Sequence, residues 1–323
     1  MYIEPATVPN NEYYTNLLFY VKKTGYQCYP SRQYWRKNIK SNPTGNIFMF
    51  SWLEDGIAID DTWGALRYFC ETILKLALIK ALGNRIIWIK HNYVPHQLEQ
   101  SSWLSRHLFH SFTYLIKKLS DKKLAHSQRF CERNPEFEYI PHPLYKIENP
   151  SLTTTKSVKY FIFGRLMRYK RTVELLKVWP KHVMLNIKGK PEDAAYGEEL
   201  TTVISERSLN VTIDPQYLDS EFLEKSLQES ETVIVTNTEN SMIVSGVIIH
   251  ALSFGCNVLS SRNAFATELE ENGLSVKTFE SMEALINIIT TPNTDSESKS
   301  KTSPAEYFSE ITILSVLRAV LKN

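Results

Sequence analysis

A short cationic segment follows a strongly apolar run near the middle of the chain. Residues 158–163 are mostly aromatic and β-branched, a composition that predicts a strand buried on both faces. The run stops at Gly164, and Arg165 and Lys170 follow within six residues. Arg offers a planar fork to phosphate oxygens and Lys a point charge. The sequence therefore predicts an anion site at the end of this strand, with plain solvation of the charges as the alternative.

A second group suited to anions stands about 80 residues further along the chain. Ser245 and Gly246 follow a polar segment and precede apolar residues at helical spacing. The free N–H groups at a helix start attract anions, and Ser245 adds a hydroxyl donor. Together with Arg165 and Lys170 they predict a two-sided clamp for a diphosphate. The alternative is a capped helix start without a ligand.

Predicted strands of the first half also end in polar residues. These are Glu54 after the strand at 47–52, His91 and Asn92 after 85–90, and Ser127 at the end of 123–127. Ligands of doubly wound sheets bind outside the carboxyl ends of the strands, so we expect a site here. For His91 the competing interpretation is a structural histidine.

A general base on this side would have to be a titratable group near the strand ends. Glu54 is the first choice, and Asp60, Asp61 and His91 are the reserves. The helical pair His107 and His110 lacks a third ligand nearby in sequence, so we do not expect a metal site there.

Strand and helix patterns alternate through both halves, which predicts α/β architecture with parallel sheets covered on both faces. The second half repeats the pattern with strands at 182–188, 210–213, 232–236 and 257–260. Between the halves, 144–156 is polar, Thr-rich and broken by a proline. We therefore expect domains at 1–150 and 151–302, and a C-terminal helix within 303–323 that can return to the first domain.

Composition excludes several classes of protein. With 323 residues and a formal net charge of +2, overall charge does not favour a nucleic-acid partner. The four scattered cysteines include no Cys-x-x-Cys pair, which fits reduced thiols. The chain shows no signal peptide and no apolar run of about 20 residues. We expect a soluble cytoplasmic protein, peripheral at most to the inner face of the membrane.

Several short segments resemble, in order, those of two-domain glycosyltransferases with facing Rossmann-like sheets, the GT-B fold. In the second half these are Gly-Arg-x(4)-Lys from 164, Lys-Gly-Lys-Pro from 188, Tyr-Leu-Asp from 217, and Ser-Gly-Val-Ile-Ile-His-Ala-Leu-Ser-Phe-Gly from 245. In the first half, Trp52-Leu-Glu54 resembles a Trp-Pro-Glu segment of bacterial polysaccharide (capsule, exopolysaccharide and O-antigen) transferases. His91-Asn92 with Pro95-His96 resembles a His-Asn…Pro-His segment of the same enzymes.

The resemblance implies roles for individual residues. The donor-binding set would be Arg165, Lys170, Lys190, Tyr217, Leu218, Glu239, Ser245 and Gly246. The acceptor side would hold Trp52, Asn92 and His96, with Glu54 and His91 as catalytic residues.

One departure concerns the pair of glutamates, eight residues apart, that many retaining relatives carry. Glu239 is present, but the residue eight positions on is Val247, and His250 stands before Ala251. The sequence therefore leaves retention or inversion of the anomeric centre open.

The function that the resemblance implies is transfer of a hexosyl group from a nucleoside-diphosphate sugar to a hydroxyl of a lipid-linked glycan acceptor, in cell-surface polysaccharide synthesis. No cofactor and no metal are expected, since Asp-x-Asp is absent and protein cations can stabilise the leaving diphosphate. The partners are then the nucleotide sugar and the glycan, without nucleic acid. The alternatives are an epimerase-like or phosphorylase-like enzyme of this fold, or an inactive interaction protein. A dehydrogenase is disfavoured because no Gly-x-Gly-x-x-Gly follows a predicted strand.

The segment from 103 to 123 suggests docking on a membrane surface. Its aromatic and apolar residues are Trp103, Phe109, Phe112, Tyr114 and Leu115, and its basic ones are Arg106, His107, Lys117, Lys118, Lys122 and Lys123. Such a mixture suits an interfacial helix on anionic lipid. The alternative is that the apolar residues face the domain core.

Overall fold

The computed structural model describes residues 1–5, 12–41 (only the backbone of Asn38), 43–95, 98, 101–145, 155–216, 219–237, 242–291 and 301–322. The chain forms two compact units. Unit 1 comprises Met1–Pro143, Ser241–Val244 and Phe308–Asn323, and unit 2 comprises Leu144–Asn240 and Ser245–Tyr307. The boundary expected at residue 150 lies outside the described residues.

Strands and helices alternate along the described residues. The strands are β1 (Tyr2–Glu4), β2 (Tyr29–Pro30), β3 (Ile47–Ser51), β4 (Arg85–Lys90), β5 (Lys122–Ala125), β6 (Glu138–Tyr139), β7 (Val158–Phe163), β8 (Leu185–Lys188), β9 (Val211–Asp214), β10 (Ser230–Val235), β11 (Asn257–Ser261) and β12 (Val276–Phe279). The helices are α1 (Glu12–Lys23), α2 (Ser31–Gln33), α3 (Thr62–Ala81), α4 (Trp103–Leu119), α5 (Gln128–Arg133), α6 (Thr172–Val178), α7 (Ala194–Glu206), α8 (Ser220–Gln228), α9 (Gly246–Ser253), α10 (Ala264–Glu271), α11 (Met282–Thr290), α12 (Pro304–Tyr307) and α13 (Glu310–Lys322).

Unit 1 is built on a parallel sheet of order β2-β1-β3-β4-β5-β6. Helices α3 and α4 cover one face, because their buried residues share one core with Phe48, Phe50, Ile86 and Trp88 of the sheet. Helices α1 and α13 pack on each other. The connection from β1 to β2 runs across the sheet in the direction opposite to the connection from β3 to β4. Because crossovers between parallel strands are right-handed, α1 lies on the face of the sheet opposite to α3.

Unit 2 is built on a second parallel sheet, of order β12-β11-β10-β7-β8-β9. The strand order reverses between β7 and β10, so the topological switch point lies at their carboxyl ends. The core on one face joins β7 and β8 to α6, α7 and α11, with Trp179 and Tyr196 among the largest buried side chains.

The predicted architecture of parallel α/β sheets is confirmed. The strands predicted at 85–90 and 158–163 match to the residue. Strand β12 follows β11 and was not among the strands predicted for the second half. Its Lys277 and Thr278 leave only two apolar residues in the strand, too few for a recognisable apolar run. The three-residue β1 was also missed.

Candidate functional site

Two glycines bring the cationic loops of unit 2 together. Gly164 follows β7 with φ of 87°, and Gly189 follows β8. A Cβ on Gly189 would lie 2.0 Å from the carbonyl oxygen of Gly164, far inside contact distance. The two strands can therefore end in such close contact only because Gly189 carries no side chain, while Gly164 supplies the positive φ of the turn.

Arg165 and Lys170 form the cationic part of this edge. Arg165 is exposed and Lys170 is partly buried. Burial lowers the pKa of Lys170 to about 8, and the neighbouring charge of Arg165 lowers it as well. Among the described residues no acidic side chain forms an ion pair with either cation. A bound anion would relieve the repulsion between the two positive charges.

Thr236 ties this loop to the neighbouring strand. It follows β10 directly, and its hydroxyl donates a hydrogen bond to the carbonyl oxygen of Lys170. The link places Lys170 at the switch point between β7 and β10, where ligands of open α/β sheets bind.

Arg168 belongs to the same loop but has other partners. Its guanidinium forms ion pairs with Glu192 at 2.8 Å, Asp193 at 3.5 Å and Glu199 at 2.9 Å. It also lies over the ring of Tyr196. This cation is therefore engaged within unit 2, unlike Arg165.

Of the other residues predicted to bind the donor, the structure describes some and not others. Lys190 is exposed and lines an open cavity of about 500 Å³ together with Pro191 and Ile213. The expected donor contacts Tyr217, Leu218 and Glu239 lie outside the described residues.

Helix α9 begins at Gly246 as predicted. Ser245 is buried and extended, and its side chain makes no capping hydrogen bond. A Cβ on Gly246 would lie 3.5 Å from the hydroxyl oxygen of Tyr145, so this tyrosine borders the helix start.

His250 occupies the position where the resemblance would place the second glutamate. Its ring stacks on Tyr145 with centroids 4.0 Å apart and planes 7° apart, and Phe163 and Phe254 lie alongside. Burial lowers the pKa of His250 to about 4. An uncharged aromatic pair therefore stands where a carboxylate would be expected.

Unit 1 gathers aromatic and imidazole rings at the carboxyl ends of its strands. Trp52 stacks on His91 at 4.3 Å, although its φ of 57° is unusual for a residue other than glycine. The ring of Tyr13 lies 4.7–5.3 Å from those of His91, His126 and His142. The Tyr13 hydroxyl is 2.8 Å from Nε2 of His126, whose Nδ1 is 2.9 Å from the carbonyl oxygen of Ile140.

His91 and His126 are held neutral. Burial, followed by the neighbouring His126 and His142, lowers the pKa of His91 well below its usual value. Burial lowers the pKa of His126 to about 4. Nε2 of His91 is itself buried and has no hydrogen-bond partner among the described residues.

Glu54, the first choice for a general base, is completely buried. Its Oε2 accepts a hydrogen bond of 3.0 Å from Trp88 Nε1, and its Oε1 lies 3.7 Å from Nζ of the buried Lys90. The carboxylate thus lies behind the strand ends without access to an acceptor. Asp61, a reserve, caps α3 by accepting from Trp63 N and Gly64 N. The reserve Asp60 is exposed, and His96 lies outside the described residues.

Asp55 is an accessible carboxylate beside the buried pair Glu54 and Lys90. It is partly exposed, and the Nδ2 group of Asn92 lies 3.0 and 3.3 Å from its two oxygens. Burial, reinforced by the charge of Glu54, raises the pKa of Asp55 to about 7. Asp55 was not among the bases predicted from the sequence, because the partners that distinguish it from Glu54 lie on and just after β4.

A short segment after β10 belongs to unit 1. Ile243 N donates to the carbonyl oxygen of His91 at 3.0 Å, and Met242 forms an antiparallel bridge with Asn92. The side chain of Ile243 lies in the unit 1 core. The chain just before Ser245 is therefore held by the strand end that carries His91.

Within the described part of the chain, no group of three or more metal-ligating side chains is arranged to hold an ion. His107 and His110 are both exposed on α4. No described helix is long and apolar enough to cross a bilayer.

Comparison with solved structures identifies the fold. No protein-family model and no curated protein matches the chain. The Anabaena protein HepE, solved in complex with UDP and glucose, matches with a TM-score of 0.67 and 15% identity, covering 99% of this chain and 98% of HepE. AviGT4, a glycosyltransferase involved in avilamycin A biosynthesis, matches with a TM-score of 0.60 and 12% identity over 99% of this chain and 97% of its own. An E. coli trehalose-6-phosphate structure bound with UDP-2-fluoro glucose matches with a TM-score of 0.53 and 11% identity over 98% and 94%. At these identities the likeness shows the fold, which is that of GT-B glycosyltransferase structures.

Proposed function

We propose that the protein is a glycosyltransferase that uses a nucleoside-diphosphate sugar. The observation that carries the proposal is the pair Arg165 and Lys170 at the switch point of unit 2, without an acidic partner among the described residues. Two adjacent cations that lack a partner suit a diphosphate. The structures of HepE in complex with UDP and with UDP-glucose support this choice of ligand.

The donor would lie along the carboxyl edge of unit 2. Arg165 and Lys170 would hold the diphosphate, and Lys190, Ser245 and the N–H groups from Gly246 onward would add donors. Tyr217, Leu218 and Glu239 complete the proposed set. UDP-glucose is the first donor to test, because HepE has been solved in complex with it.

The reaction is displacement at the anomeric carbon. The acceptor oxygen forms a bond to that carbon, the bond to the diphosphate oxygen breaks, and its electron pair leaves with the nucleoside diphosphate. Fixed cations stabilise the charge that develops on the leaving group, and we propose that they do so without a metal ion.

Asp55, and not Glu54, is the proposed acceptor of the hydroxyl proton. A base with a pKa near the working pH combines the right protonation state with sufficient driving force, and the pKa of Asp55 is raised to about 7. Neutral His91, whose Nε2 has no hydrogen-bond partner in the described part of the chain, is proposed to donate to or accept from a sugar hydroxyl once the acceptor displaces the cover over it, beside Trp52 and Asn92.

The proposed acceptor is a hydroxyl of a lipid-linked glycan, and the proposed pathway is cell-surface polysaccharide synthesis at the inner face of the cytoplasmic membrane. The order of the first-half motifs supports this assignment. AviGT4 serves a different product, so the fold alone does not choose the acceptor.

A panel of nucleotide sugars tests the function. We expect at least one, with UDP-glucose first, to raise the melting temperature of the protein and to donate its sugar in the presence of EDTA. Binding without transfer to any glycan acceptor would indicate an inactive interaction protein. A panel that produces no shift would contradict the donor site, and a loss of activity in EDTA that Mg²⁺ restores would contradict the metal-free mechanism.

A further inference from the structure

The outer face of two helices in unit 1 carries apolar residues that the fold does not use. Helices α3 and α4 pack side by side, and the buried residues of both face the same side of the sheet. Their opposite sides therefore form one continuous outward surface, which we call the α3–α4 face.

This face concentrates the exposed large apolar side chains of the molecule. Among the described residues ten such side chains are exposed, and half of them belong to these two helices. They are Trp63, Leu74 and Leu78 of α3, and Trp103 and Tyr114 of α4, with Trp63 at 76% exposure and Leu74 at 60%. Single exposed apolar residues are ordinary, but a shared patch marks an interaction site.

The same two helices are strongly basic. They contain six Lys and Arg residues and a single acidic residue, Glu71, whereas the whole chain has a net charge of only +2. Lys75, Lys80 and Lys117 pair with acidic residues of other elements. Arg106 and Lys118 are exposed on the outer side of α4 and form no ion pair with a described acidic residue.

The exposed apolar residues are not all the ones expected from the sequence. Phe109 and Phe112 of α4 lie in the core, so they cannot contribute to a surface, and that part of the expected interfacial helix is wrong. Residues of α3 that the sequence did not single out take their place. The interacting element is a two-helix face and not one amphipathic segment.

We propose that the α3–α4 face docks unit 1 on a bilayer that contains anionic lipid. Indole and phenol rings favour the boundary between headgroups and hydrocarbon, leucines enter the apolar layer, and cations attract anionic headgroups. A nucleic acid would use the cations but would leave Leu74 and Leu78 in water. Charge complementarity therefore selects an anionic partner, and the apolar residues select a lipid surface.

The docking would also orient the molecule. Trp63 and Trp103 lie at the amino ends of α3 and α4, which follow the strand ends that carry Asp55 and His91. The acceptor edge of unit 1 would then lie near the bilayer, where a lipid-linked glycan presents its hydroxyls. This orientation rests on the proposed function, whereas the docking itself does not.

Vesicle flotation with the full chain tests the docking. We expect the protein to float with vesicles of phosphatidylglycerol and phosphatidylcholine at low salt, and to stay behind with phosphatidylcholine alone. Replacing Arg106 and Lys118 by Gln should weaken partitioning by about thirtyfold, since each cation near an anionic surface contributes about one factor of five. Replacing Trp63 and Trp103 by Ala should weaken it by about tenfold or more.

The matched control lies on the opposite face of the same unit. Lys22 of α1 and Ile311 of α13 are exposed, so a Lys22→Gln/Ile311→Ala variant removes a cation and an apolar side chain there and should float like the native protein. All these side chains are exposed, and an unchanged melting temperature verifies folding of each variant. The proposal is overturned if the native protein does not float with anionic vesicles, floats equally with neutral ones, or loses as much binding in the control as in the α3–α4 variants.

Discussion

The carboxyl edges of the two sheets are built from different chemistry. In unit 1 the strand ends hold buried, neutral rings around Tyr13 and His91, with Asp55 as the accessible acid beside them. In unit 2 the strand ends hold Arg165 and Lys170, whose charges find no described acidic partner. We propose that this shared α/β plan binds an anion at the edge of unit 2, and hydroxyl groups with proton transfer at the edge of unit 1.

The largest effect is expected at Asp55. Asp55→Asn keeps an oxygen that can accept from Asn92 but removes the group that takes up the proton, so turnover should fall by about 10²–10⁴-fold. Donor affinity should stay unchanged, because the donor edge belongs to unit 2. Native turnover should decline as the pH falls below about 7, when Asp55 is protonated, and this dependence should vanish in the variant. Asp60→Asn, at an exposed neighbour, is the control.

The same variant has a distinct stability signature. The folded-state pKa of Asp55 is raised, so the stability that its protonated form contributes is complete below about pH 4 and is lost as the pH rises through about 7. Asn stays neutral at every pH. Above pH 7 the free energy of unfolding of Asp55→Asn, measured by denaturant titration, should therefore exceed that of the native protein by at most about 4 kcal/mol. A variant less stable than the native protein at high pH would contradict the burial of this carboxylate.

A glycine substitution tests how the edge of unit 2 is built. Gly189→Ala places a methyl group against the carbonyl of Gly164, and separating the strands should cost about 3 kcal/mol or more of unfolding free energy. Gly45→Ala is the matched control, since its φ is also positive but nothing lies within 4 Å of the added carbon. It should cost only about 1 kcal/mol. Equal costs in chemical denaturation would show that the close approach is not required.

Lowering the pH should protonate the buried His126 at the carboxyl edge of unit 1. The pKa of His126 is lowered to about 4 by burial, so the unfolded chain binds a proton before the folded one does. Stability should therefore fall as the pH drops from about 6.5 to about 4, by about 3 kcal/mol from this residue alone. His126→Asn should flatten this part of the pH profile in urea titrations. An unchanged slope would mean that the imidazole is not buried in its neutral form.

Local patterns predicted much of the fold. The apolar run of β7 and the glycine and cations after it could be recognised because the signals are adjacent in sequence. The burial of Glu54 could not, because it depends on Trp88 and Lys90 of another strand. The same holds for Arg168, which resembles Arg165 in sequence but finds Glu192 and Glu199 of a later segment. Whether a charged side chain forms an ion pair therefore depends on residues far away in the sequence, which local patterns do not reveal.

The contrast between Arg165 and Arg168 allows the most direct test of the central claim, that the edge of unit 2 binds a nucleotide diphosphate. Calorimetric titration with UDP and UDP-glucose should show binding by the native protein and by Arg168→Gln. In Arg165→Gln the affinity should fall by about ten- to a hundredfold, the value of one charge-assisted hydrogen bond. Both variants remove one cation from the same loop, so a change in net charge alone would affect them equally. Equal affinity in the native protein and Arg165→Gln, or an equal loss in both variants, would contradict the account.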